Sequence, residues 1–70
     1  MTPEALYALA EAYATAQDKL KHAEVQLDNH RGSELDRAFL VVQVAHANLE
    51  VAHTHKALLQ GALETARAPF

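Results

Sequence analysis

Cysteine and tryptophan are absent from this 70-residue chain, and glycine and proline occur only twice each. Without cysteine there can be no disulfide and no thiolate ligand for a metal. With so few glycines and prolines, little interrupts a helix, and the expected class is all-α. Basic residues are also scarce. Six Lys and Arg stand against nine Asp and Glu, a net charge of −3 with five neutral His, so no electrostatic footprint exists for a phosphate backbone and no nucleic-acid partner is expected. Acidic residues cut every apolar run well short of a bilayer span. The opening Met1-Thr2-Pro3-Glu4 places no basic region ahead of its alanine-rich run. A cytoplasmic protein with no membrane partner is the expectation.

Catalytic groups are equally thin. There is no cysteine nucleophile, the few Ser and Thr fall at helix caps or surface positions, and no glycine-rich loop could cradle a phosphate. The chain is therefore expected to be non-enzymatic and to carry no cofactor.

What is abundant is alanine, fifteen residues in a chain that is half hydrophobic. Residues 1–70 make one small domain, and a chain of this length leaves much of its apolar surface uncovered unless a second copy joins it. Thr2-Pro3-Glu4 predicts a helix start: Thr2 caps, Pro3 suits the first helical position because its missing N–H would have no partner there, and Glu4 favours the positive end of the dipole. The one strong interior break is Asn29-His30-Arg31-Gly32-Ser33. Here Gly32 is expected to turn left-handed, Ser33 to cap a second helix, and Asp36 to sit three residues on in capping-box position. Helices of roughly 3–29 and 34–67 follow, with a turn at about 30–33 and Pro69 closing the second helix. So short a connection between long helices makes an antiparallel hairpin.

Periodicity predicts how the two helices meet. Leu6, Leu9, Tyr13, Ala16, Leu20, Ala23 and Leu27 alternate spacings of three and four, a heptad seam. In the second helix Leu35, Ala38, Val42, Ala45, Leu49, Ala52, Lys56, Leu59, Leu63 and Ala66 do the same. Folding at the turn sets Ala23 against Val42, Leu20 against Ala45, Ala16 against Leu49, Tyr13 against Ala52 and Leu9 against Lys56. Most layers pair one large with one small side chain, which lets two helices approach closely without voids.

The second helix carries another apolar stripe, Leu40, Val44, Ala47, Val51, Leu58 and Ala62, roughly opposite that seam. The matching outward positions of the first helix are mostly polar: Glu11, Thr15, Asp18, His22 and Asn29. The stripe is therefore expected to be the oligomer or partner interface, with a homodimer forming a four-helix assembly. In the same register Leu63, Ala66 and Phe70 overhang the first helix, beyond a weak point at Gly61, and are a second candidate contact for another protein.

Five histidines invite a metal reading. Glu50 and His53 have the Glu-x-x-His spacing found in carboxylate-bridged di-iron bundles, where each remaining helix adds a glutamate. Glu11 lies at a suitable height but at an outward position, and His46 and His53 are about 10 Å apart along one helix, too far for one ion. No metal is expected. The Val-Ala-His repeat at 44–46 and 51–53 follows from the heptad, which carries His46 and His53 along beside Ala45 and Ala52. Both histidines are expected to be ordinary residues of the helix surface.

Ser33-Glu34-Leu35-Asp36 is similar to the Ser-x-Glu-Leu-Asp signature of small helical-hairpin phosphatases that regulate sporulation. In that family the motif lies within a helix, whereas here it caps one, and no activity is carried over. In architecture the chain resembles Rop-like dimeric hairpins and small phage proteins that disable host regulators. From the two apolar stripes and the absence of catalytic groups, the expectation is a small homo-oligomeric regulator or inhibitor that binds another protein, the alternatives being a metal-binding four-helix bundle through Glu50 and His53 or a structural assembly subunit. The basic RNA-gripping face of Rop-like proteins has no counterpart in this mixed, slightly acidic chain.

Overall fold

A computed structural model describes residues 2–67. Helix α1 spans Pro3–Asp28 and helix α2 spans Glu34–Arg67, packed as an antiparallel hairpin in a rod of 54 × 14 × 12 Å. Both helix starts fall where the cap chemistry placed them. The first helix ends one residue sooner than expected.

Thr2 is extended, with φ −76° and ψ 156°, and its Oγ1 accepts the Ala5 N–H at 3.2 Å, so the side chain satisfies a donor that has no intrahelical partner. Ser33 does the same for α2, its Oγ accepting the Asp36 N–H at 3.2 Å. Between the helices, the Asn29 N–H reaches Val25 O at 3.0 Å and the His30 N–H reaches Leu27 O at 3.2 Å, tightening the last turn of α1. The His30 ring then crosses the bend, its Nε2 lying 3.2 Å from Ser33 O.

Gly32 departs from expectation. No glycine among the described residues has a positive φ, so Gly32 is not a left-handed pivot. Its contribution is room, because a Cβ there would come within 3.0 Å of His30 Cε1 and 3.4 Å of Asp36 Oδ2.

In α1 the residues that lose exposure are Leu6, Leu9, Tyr13, Ala16, Leu20, Ala23 and Leu27, the expected seam. Helix α2 is rotated about its axis by nearly half a turn relative to expectation. The face it turns to α1 carries Leu40, Val44, Ala47, Val51 and Leu58, with Thr54, Gly61 and Thr65 completing the row. Leu35, Val42, Leu49, Leu59 and Leu63, placed in the seam by the heptad reading, are instead between 51% and 80% exposed.

The rotation leaves Lys56 exposed and brings Thr54 and Thr65 into the packed face. The face that packs looks less apolar in sequence only because of its threonines. Each answers its own hydroxyl, Thr54 donating to Glu50 O at 2.9 Å and also meeting Val51 O at 3.1 Å, and Thr65 donating to Gly61 O at 2.9 Å. A threonine so bonded can stand half-buried in the seam without leaving its hydroxyl unpaired.

The register also differs. Tyr13 stacks on His55 rather than facing Ala52, a shift of three positions along α2. Within one residue of that register, Leu20 comes near Ala47, Ala16 near Val51, and Leu6 near Gly61. Large still meets small in these layers, which explains why Ala16 and Ala47 are the most deeply buried apolar residues, at 2% and 8% exposure.

Candidate functional site

The outer face of α2 is the feature of this hairpin with the chemistry to engage something else. A 34-residue helix with apolar residues on two opposite faces cannot bury both against one 26-residue partner. The face left over presents Leu35 at 80%, Phe39 and Val42 at 64%, Leu49 at 55%, Leu59 at 57% and Leu63 at 51% exposure. All but Phe39, which lies beside it, stand in a heptad row that continues through Ala38, Ala45, Ala52, Lys56 and Ala66, all exposed. So much contiguous apolar surface exceeds what a soluble monomer ordinarily shows.

The residues expected to form this interface, Leu40, Val44, Ala47, Val51 and Leu58, are buried or half-buried against α1 and are not free to serve it. Ala62 alone of that set is exposed. The reasoning that one stripe must stay uncovered holds, but the stripe is the other one, because the rotation of α2 exchanged their roles. Leu63 and Ala66 are exposed as expected, though for a different reason. With the register shifted, Thr2 and Pro3 stand level with residues near Thr65, so the two belong to the outer stripe and not to an overhang. Phe70 lies outside the described residues.

Beside the stripe, a groove of about 620 Å³ runs between the helices. Phe39, Val42 and Ala47 form its apolar part, and Asp18, Lys19, His22, His46 and Glu50 its polar margin. Lys19 Nζ lies 3.8 Å from Glu50 Oε1 across it, with both side chains well solvated at 62% and 42% exposure. At that distance and exposure the pair orients the margin more than it stabilises the fold.

Glu50 and His53, the residues with metal-ligand spacing, share a shallow depression with His46 and Leu49. The Glu50 carboxylate is turned toward Lys19, and Glu11 is exposed on α1. Among the described residues no group of three or more His, Asp or Glu side chains is placed to hold a metal ion. No described helix is long and apolar enough to cross a membrane.

Heptad counting overlooked Phe39, which widens the stripe toward the groove, and the seam threonines Thr54 and Thr65. For Phe39 the signal was present, a large aromatic next to a heptad position. The threonines were missed because a hydroxyl residue scores as polar even when its own helix satisfies it. No family model, no curated protein and no solved structure matches this chain.

Proposed function

We propose that the chain is a non-enzymatic protein-protein interaction module that acts through the outer face of α2. The observation that carries this reading is the exposed heptad row of Leu35, Val42, Leu49 and Leu63 on a helix already packed on its opposite side. Large apolar residues at helical spacing are how one helix is read by another. Their exposure has an energetic consequence, since each leucine removed from water contributes about 1.5–3 kcal/mol when fully buried.

The test is photocrosslinking in living cells, with p-benzoylphenylalanine substituted for Leu49 on the outer face of α2 or for Thr15 on the polar face of α1. Covalent adducts from the Leu49 position and none from the Thr15 position are expected. Absence of any adduct from Leu49 would remove the basis for the reading.

A further inference from the structure

We infer that the outer face of α2 is covered by a second copy of this chain, bound antiparallel in the register that overlaps the whole of both α2 helices. The inference rests on the interaction-module reading and names its partner.

The face consists of two rows. Leu35, Val42, Leu49, Lys56 and Leu63 recur every seven residues and are bulky. Ala38, Ala45, Ala52, Leu59 and Ala66 recur every seven residues, three further on, and all but one are small. Two copies related by a two-fold axis along parallel helices would set each row against itself. Alanine would face alanine, leucine would face leucine, and Lys56 would face Lys56, so the wide layers would hold the narrow ones open and two ammonium groups would meet.

Turning one copy round sets the bulky row against the small one. When Glu34–Arg67 overlaps fully with its copy, Leu35 stands opposite the partner's Ala66, Ala38 opposite the partner's Leu63, and Leu49 opposite the partner's Ala52. Lys56 lies over the partner's Ala45, where its stem covers the methyl group and its ammonium reaches water. Val42 opposite the partner's Leu59 is the one layer of two large residues. Sliding by a heptad keeps the large-to-small match but strands seven residues at each end, so the full overlap is the register that buries most.

Charge favours the same arrangement. Glu34 and Asp36 lie in the first turn of α2 and Arg67 in its last; in the antiparallel pair the acidic end of each helix stands level with the basic end of the other, and the helix dipoles oppose. The area is also sufficient. At ordinary side-chain sizes the exposed parts of the large residues on this face come to on the order of 700 Å², close to the roughly 800 Å² per partner of a standard interface. On α1 the exposed large apolar residues are Tyr7 and Val25, eighteen positions apart and without a heptad row between them.

Because the chain has no cysteine, disulfide trapping reports the arrangement directly. Ala38→Cys and Leu63→Cys chains are oxidised separately and as an equal mixture, alongside sedimentation of the unmodified chain and of Leu49→Glu. Expected are a disulfide joining one variant to the other in the mixture, no disulfide from either variant alone, a dimer for the unmodified chain, and a dissociation constant raised roughly tenfold or more by Leu49→Glu with helix content unchanged. Self-disulfides of Ala38→Cys alone, or a monomer at every concentration, would overturn the inference. The photocrosslinks separate the two levels: adducts from Leu49 to a different protein, together with a monomeric chain, would retire the second copy while leaving the interaction reading intact, and no adduct at all would retire both.

Discussion

The ring of Tyr13 in α1 stacks on the ring of His55 in α2, with centroids 5.1 Å apart and planes inclined by 24°. This contact marks the register of the hairpin, because it ties the middle of α1 to a position three residues further along α2 than heptad pairing would choose. It also turns Ala52 outward and leaves it in the row that faces solvent. Replacing Tyr13 by Ala should lower the unfolding free energy by about 1–3 kcal/mol, and His55→Ala by less. A double-mutant cycle in urea should return a coupling of about 0.5–1.5 kcal/mol. A coupling of zero would mean that the two rings are neighbours without interacting.

Leucine scanning should tell the two faces of α2 and the seam of α1 apart. Ala16 is 2% exposed, and Ala16→Leu should cost about 1–3 kcal/mol of stability by overpacking. Ala52→Leu on the exposed row should leave the fold of the hairpin undisturbed. Thermal melts at low protein concentration decide the matter, and the reverse order would place Ala52 in the seam after all.

A charge scan makes the same distinction by another route. Val51→Glu would bury a carboxylate between the helices and should unfold the hairpin or nearly so. Val42→Glu, on a residue 64% exposed, should keep the helix content measured by circular dichroism and change only association.

The caps should contribute separately. Thr2→Ala and Ser33→Ala each remove a hydroxyl that accepts a backbone N–H, and each should cost about 1 kcal/mol, additive within a few tenths because the sites are far apart in sequence and serve different helices. Gly32→Ala should cost less than about 1 kcal/mol, since its Cβ would press only on the movable His30 ring and the Asp36 carboxylate. A large loss at Gly32 would indicate a backbone requirement that its φ does not show.

The Lys19–Glu50 pair should prove dispensable to folding. With 3.8 Å between the charges and both side chains well exposed, Lys19→Ala should change stability by less than about 0.5 kcal/mol, and raising the salt concentration should shrink even that.

Much of this molecule is determined by local chemistry that its residues carry wherever they are placed. Thr2 and Pro3 start a helix, the stretch around Gly32 and Ser33 ends one and starts another, and α1 has a single apolar row, so its seam could be read directly. The existence of an uncovered apolar face was legible too, since α2 has two such rows and one partner helix. Which row stays uncovered was decided only in three dimensions. Composition ranks the two rows nearly alike, and the row that packs includes Thr54 and Thr65, whose hydroxyls their own helix satisfies. Spacing along a chain records which residues share a face, whereas the identity of the neighbour that a face meets depends on the desolvation of every group on it, and that sum exists only once the helices are side by side.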